Sequence, residues 1–338
     1  MKNNYFYTFT LVLASLLLSL LTCTVAQANN TFGGGNLLLT DTLTANPEVL
    51  YEFTAKGVNV NNYTTWVQDN STIRCVANDI AFLDDSTLLL LDEQQGLFYS
   101  SMKGNVKGIY NNMTTNQPGQ LGCSLQRLFV DQTNQDIYIT STNVNCDLNY
   151  VVGVFVYDVN GKYKNTILNN KFNTTLGVAV DSKGTVWIPD VDVIFAIHKD
   201  GSVDEYDPVK NKLAYNGIQV TTSNTMLIAV PATHQDLIIE LDTKGRVLRE
   251  IVMVGNTTAT GQESAIPCTI AINPSNGDIF VEAPYASKKE GSKKEENVIQ
   301  VYDKKGNYKR SWGGHSCKDK NILCVPQYGM VFIPEQSL

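Results

Sequence analysis

Apolar residues in this chain arrive in short runs, broken every few positions by Gly, Asn, Asp or Ser, and long stretches with helical spacing are absent. GVAVDSKGTVWIPDVDVIFAIHKDGSV, from Gly177 to Val203, shows the pattern: three apolar runs joined by two tight glycine-containing turns. Such runs bounded by turn residues predict β-strands and hairpins, because Gly and Asn/Asp tolerate the positive φ that tight turns demand. The same order of events recurs. Asn78 begins NDIAFLDDSTLLLLDEQQGLFYSSMKGNV, and Gln126 begins QRLFVDQTNQDIYITS, which resumes after an insertion as VVGVFVYDVNGKYKNTI. Asn216 begins NGIQVTTSNTMLIAVPATHQDLIIELDTKGRVLREIV. Cys268 begins CTIAINPSNGDIFVEAP and resumes after a charged insertion as NVIQVYDKKGNYKRSWG. Four antiparallel strands about every 40 to 60 residues predict the blades of an all-β propeller.

Five copies are complete, and the chain ends supply a sixth. Tyr328 to Pro334 reads as a lone first strand, while Asn36 to Asp41 and Val49 to Thr54 read as later strands lacking one. A six-bladed ring is therefore expected, closed by N- and C-terminal strands in one blade, which pairs sheet edges that would otherwise stay open. The Gly177–Val203 stretch and its relative from Thr269 resemble the NHL-repeat type of six-bladed propeller. The likeness covers most of the chain and implies architecture more than activity.

The chain has 338 residues and opens with Lys2, an apolar run from Phe9 to Leu21, and Ala26-Gln27-Ala28. That order is the form of a cleaved secretory signal. Residues 1–28 are accordingly expected to be removed, leaving 29–338 as a single propeller domain without a membrane anchor. Cys23 follows Thr22, a poor fit to bacterial lipidation. The formal charge is −7, and the one charge run, Lys288 to Asn297, mixes signs and reads as a solvated loop. Such a balance argues against a nucleic-acid partner.

With Cys23 lost, Cys75, Cys123, Cys146, Cys268, Cys317 and Cys324 remain. An even number in an oxidising compartment points to disulfides, with fifteen pairings open. Asn-x-Ser/Thr sequons stand at Asn29, Asn62, Asn70, Asn112, Asn173 and Asn256. The chain is so rich in Asn, Ser and Thr that about as many arise by chance. They mark candidate glycosylation sites without deciding between an extracellular protein and a periplasmic one.

The turns between first and second strands, and between third and fourth, are short in every copy; the long connections fall elsewhere. In a propeller blade those longer links share one face of the disc, the expected place for binding. Carboxylates gather there too, at Asp41, Asp92, Glu93, Asp190, Asp192 and Glu282. Oxygen ligands of this type suit a hard cation such as Ca²⁺, whereas an Asp at a strand end also satisfies turn amides. The strand starts Asn78-Asp79 and Asn216-Gly217 are similar to those of calcium-dependent lactonases of the gluconolactonase-like and paraoxonase-like kinds. That resemblance implies Asn78 and Asn216 as ligands and Asp79 or Asp190 as the base; with the strand-end carboxylates, the candidate metal set is Asn78, Asp79, Asp190, Asn216 and Glu282. The copy starting Pro267-Cys268-Thr269 departs from it, offering neither Asp nor Asn at that position.

Other chemistry is sparse. His198, His234 and His315 are the three histidines, none at metal-ligand spacing. Gly314-His315-Ser316-Cys317 lacks the final glycine of a nucleophile elbow, and Gly33-Gly34-Gly35 has no helix after it to hold phosphate. The expectation is a secreted, monomeric binding module that takes a protein or glycan on its long-loop face, the calcium-dependent lactonase or esterase being the alternative.

Overall fold

The computed structural model describes residues 35–40, 50–63, 66–68, 71–73, 77–85, 87–92, 96–101, 106–109, 125–141, 152–167, 171–210, 212–232, 236–254, 267–286, 295–313 and 330–332. Strands β1 (Leu37–Thr40), β2 (Leu50–Phe53) and β3 (Asn59–Tyr63) come first, followed by a two-stranded ribbon of β4 (Trp66–Gln68) and β5 (Ser71–Ile73). The next sheet comprises β6 (Ala77–Asp84), β7 (Thr87–Asp92), β8 (Gly96–Ser101) and β9 (Val106–Ile109). Another runs β10 (Leu125–Asp131), β11 (Asp136–Ser141), β12 (Gly153–Tyr157) and β13 (Tyr163–Ile167). Then come β14 (Ala179–Val180), β15 (Val186–Pro189), β16 (Ile194–Ile197) and β17 (Val203–Tyr206). The following sheet holds β18 (Ile218–Val220), β19 (Met226–Val230), β20 (Leu237–Leu241) and β21 (Val247–Val252). Last are β22 (Ile270–Ile272), β23 (Ile279–Ala286), β24 (Glu295–Tyr302) and β25 (Tyr308–Gly313), then the lone β26 (Met330–Phe332).

The protein is thus an all-β propeller of four-stranded antiparallel blades. Strand β26 pairs with β1, Leu37 opposite Phe332 and Leu39 opposite Met330, so the sheet of β1, β2 and β3 takes its first strand from the far end of the chain. First strands neighbour one another in the order β26, β6, β10, β14, β18, β22 and again β26. The last sheet also reaches the first directly: Arg310 Nη2 donates to the Ala55 carbonyl at 2.6 Å, and the Trp312 ring lies 5.1 Å from Phe53.

Burial explains the residue pattern. The second strands β11, β15 and β19 are buried at every position, because each lies between two neighbouring sheets. They therefore read as unbroken apolar runs, DIYITS, VWIP and MLIAV. Outer strands are less covered: β17 is largely exposed and β13 half-buried to exposed, and they carry Lys, Asn, Asp and Glu, which discourages edge pairing with other chains.

The short turns share one device. Asp158 Oδ1 accepts from the amides of Asn160 and Lys162, Asp181 Oδ1 from Lys183 and Thr185, Asp242 Oδ1 from Lys244 and Arg246, and Asp303 Oδ1 from Lys305 and Asn307. Some turns between third and fourth strands also pack tightly on the preceding sheet. Gly245, at φ +72°, sits so close to the Tyr206 ring that a Cβ would lie 2.2 Å from it, and Gly57 meets Trp312 in the same way. One expectation is corrected here: β24 begins at Glu295, so the charged run that reads as a loop ends inside a long hairpin, with Glu295 paired to Ala286.

Candidate functional site

Five of the first strands carry a cavity-lining residue at the corresponding position, within the strand or just before it: Asp79 before Ile80, Arg127 before Leu128, Gly177 before Val178, Gly217 before Ile218 and Thr269 before Ile270. These five ring the end of an axial cavity of about 600 Å³ on the loop-bearing face. The walls below them are mostly apolar. The far end, at the tight-turn face, reaches Asp131, Asp181, Ser182 and Asn224.

Asp79 is the buried acid of the ring. Its Oδ1 accepts from the Ile80 amide at 2.8 Å and its Oδ2 from the Leu128 amide at 2.7 Å, stitching β6 to β10. Burial pushes its pKa up to about 6, against the opposing pull of Arg127 and of both amides. Arg127 donates through Nε to the Leu176 carbonyl at 3.2 Å, and its own amide bonds Thr140 Oγ1 at 3.0 Å. The two glycines serve packing. A Cβ on Gly217 would lie 2.5 Å from the Cys268 carbonyl that its own amide donates to at 3.0 Å, and one on Gly177 would lie 2.9 Å from the Pro189 ring.

The other residues singled out from sequence are distributed differently. Asp190 is consumed by main chain: its carboxylate accepts from the amides of Asn173, Thr174 and Val191 at 2.8, 3.0 and 2.5 Å, and burial raises its pKa. Asn216 turns its Nδ2 to the Pro267 carbonyl at 2.9 Å, tying one sheet to the next. Asn78, Asp92 and Glu282 are buried, and the Glu282 main chain pairs with Cys268 and Thr269. Asp192 is exposed and accepts from Asn173 Nδ2 at 3.1 Å. Among the described residues no three His, Cys, Asp or Glu side chains stand together as a metal-binding group. Asp41 and Glu93 lie outside the described residues.

Cys268, grouped by sequence with the disulfide candidates, stands as a thiol instead. It lies at the foot of β22 between sheets, where burial first and the Glu282 carboxylate second push its pKa up to about 12. Cys75, Cys123, Cys146, Cys317 and Cys324 are outside the described residues, as are Asn29, Asn70, Asn112 and Asn256. Asn62 falls within β3, and Asn173 is exposed. His198 faces Asp204, Nε2 to Oδ2 at 3.0 Å, on an outer strand away from the cavity; His234 and His315 lie outside the described residues. Trp187 is fully buried, donating to Asp181 Oδ2 and stacked on Tyr206 at 5.7 Å.

The residue that sequence reading passed over is Arg127. Its signal was positional: aligning the copies on their first strands puts QRLFV beside NDIAF, LGVAV, NGIQV and CTIAI, so Arg127 falls where Asp79 does.

No sequence-family profile matches the chain, and no curated protein matches it. Among solved structures it is similar to a protein of unknown function from Bacteroides caccae, with 11% identity, a TM-score of 0.57, and coverage of 90% of this chain and all of that one. It is also similar to a catalytically inactive virginiamycin B lyase from Staphylococcus aureus bound to quinupristin, with 13% identity, a TM-score of 0.49, and coverage of 82% and 94%. A third is the extracellular domain of a hybrid two-component system from B. thetaiotaomicron, with 11% identity, a TM-score of 0.49, and coverage of 89% of this chain but 36% of that one. At these identities the likeness to the Bacteroides caccae protein speaks to fold alone.

Proposed function

We propose that the chain is a secreted six-bladed propeller of NHL-repeat type that acts as a binding module, taking an extracellular protein or glycan partner on its loop-bearing face. The observation that carries this reading is the asymmetry of the two faces. On one side, turn after turn is closed by the same carboxylate-to-amide device, as at Asp158, Asp181, Asp242 and Asp303, which leaves little variation for recognition. The strand ends that face the other way are the ones the sequence joins by its long connections, and the second strands β11, β15 and β19 are buried at every position. Varied loops on a rigid frame are the usual arrangement for recognition. The signal-like order of residues 1–28 supports export from the cytoplasm, to the periplasm if the source is a bacterium.

The test uses mature protein against arrays of glycans and extracellular proteins, in two variants. One replaces residues 287–294 by a short Gly-Ser link; the other changes Lys183, Lys244 and Lys305 on the turn face to Glu. The binding reading expects loss of the captured partner in the first variant alone. Loss in the second alone would sink it.

A calcium-dependent hydrolase is the second reading, favoured by one observation: Asp79 is a buried carboxyl held near neutrality at the mouth of a cavity. A cation there shares the ring with Arg127, which works against it. Elemental analysis and thermal unfolding with and without EGTA separate the two readings. Stoichiometric calcium and a large fall in Tm on chelation support the hydrolase; an unchanged Tm with no calcium removes it.

A further inference from the structure

At the tight-turn face, neighbouring sheets meet in different ways. Between the sheet of β14 to β17 and that of β18 to β21 the turns are cross-linked: the Ser182 amide donates to Asn224 Oδ1 at 2.7 Å, and Lys183 Nζ donates to Thr243 Oγ1 at 3.3 Å. One sheet further on, the described turns 221–225 and 273–277 make no hydrogen bond to one another, and a cleft of about 590 Å³ opens between them. That volume lies within the range of small-molecule sites.

The cleft also differs in charge. In the two preceding sheets the first turn is clamped by a carboxylate: Asp131 Oδ1 accepts from the Thr133 amide at 2.8 Å, and Asp181 Oδ1 accepts from the Lys183 and Thr185 amides at 2.9 and 3.0 Å. At the two turns bordering the cleft, neutral oxygens take over the same task. Thr221 Oγ1 accepts from the amides of Ser223 and Thr225 at 3.2 Å, and Asn273 Oδ1 accepts from Ser275 at 2.9 Å. These turns therefore bring no carboxylate to the lining. Asp278 and Asp303, close by in sequence, are engaged elsewhere, with Lys309 Nζ and with the amides of Lys305 and Asn307.

Glu240 is the one acid among the described lining residues, and both of its oxygens are occupied. Oε1 accepts from Thr225 Oγ1, and Oε2 accepts from Arg249 Nε at 2.5 Å, a pair that cancels in charge. Lys304 is left as the excess cation. Its stem runs over Gly277, where a Cβ would lie 3.1 Å from Lys304 Cβ, and it forms no ion pair among the described residues. Thr222, Ser223 and Ser275 add hydroxyls, each able to donate and to accept, while the buried side chains of Leu227 and Ile279 close the inner end.

We propose that this cleft between the last two sheets binds a sugar carrying one oxyanion ester, its hydroxyls against the turn hydroxyls and its anionic group against Lys304. The ammonium acts as a point charge that suits a sulfate or a phosphate ester alike, and the missing turn carboxylates remove the repulsion that such a group would otherwise meet. The site is separate from the loop-bearing face and does not rest on what that face binds.

The experiment is calorimetric titration of the mature protein at pH 7.5 with glucose 6-sulfate, glucose 6-phosphate, glucose and glucosamine, which share one ring and differ in charge. At least one ester should bind about fivefold or more tighter than glucose, the margin of a single partly exposed charge pair, and glucosamine should bind most weakly. The tighter ester identifies the anion. Lys304→Gln should erase the preference over glucose, and Ser275→Trp, at an exposed turn position, should weaken every ligand by filling the cleft. No binding of either ester up to about 10 mM would overturn the proposal. So would glucosamine matching the esters, or ester binding unchanged in both variants. Replacing residues 287–294 by the Gly-Ser link should leave ester binding intact; its loss there would place the site on the loop-bearing face and refute this one.

Discussion

Asp79 offers the sharpest test of the site electrostatics, because burial and Arg127 act on it in opposite directions. Burial wins in the structure and lifts the carboxyl from 3.8 to about 6. The folded protein then holds this proton more tightly than the unfolded chain does. Its stabilising contribution is fully present below about pH 4 and is lost as pH rises through about 6. A difference of about 2 pH units corresponds to about 3 kcal/mol. Asp200, Asp204, Asp242 and Asp303 have lowered values and push total stability the opposite way, so the wild-type curve alone cannot reveal Asp79. Asp79→Asn isolates it. The amide turns one NH2 toward an amide donor that the carboxylate accepted from, a cost of about 1–3 kcal/mol that does not vary with pH. Urea unfolding of both proteins at pH 4, 5, 6 and 7 yields the difference in stability at each pH. Wild type should lose about 2.4 kcal/mol relative to Asp79→Asn between pH 4 and 7, part of the full difference being already lost at pH 4. A flat difference, or one that moves in wild type's favour as pH rises, would mean that Arg127 outweighs burial and would refute the reasoning.

Other expectations follow from contacts. Gly217→Ala drives a methyl to 2.5 Å from the Cys268 carbonyl, a backbone atom that cannot step aside, and should lower stability by about 2–4 kcal/mol in urea unfolding. Asp190→Ala leaves the amides of Asn173, Thr174 and Val191 without their acceptor and should cost about 2–4 kcal/mol; a calorimetric scan with an unchanged Tm would contradict that role. Trp187→Phe removes the bond to Asp181 while keeping a ring against Tyr206, so a loss of about 1–2 kcal/mol is expected in the same assay. Truncation after Gly329 deletes β26 and exposes the edge of β1; size-exclusion chromatography should show aggregation or loss of the compact species, and unaltered elution would speak against closure through β26.

Some of this protein is written locally. The runs of β11, β15 and β19 and the turn signals DSKG, DTKG and DKKG act over a few residues, so strand order and four-stranded repeats can be read directly. The pairing of β26 with β1 was legible for a related reason: each end carries an incomplete copy, and an unpaired edge needs a partner. The site was less legible. Asp190 and Asp79 look alike in sequence, an acid beside an apolar strand, yet one is surrounded by three amides of its own loop and the other links two sheets at the cavity mouth. Asn216 reads as a ligand until the neighbouring sheet brings the Pro267 carbonyl to its amide. Arg127 has no motif at all and gains meaning only from lying level with Asp79 across two strands. Strand and turn preferences are set by near neighbours along the chain. The charge environment of a side chain can be set by groups 49 residues away, as with Asp79 and the Leu128 amide, and only the packing of one sheet against the next brings those together.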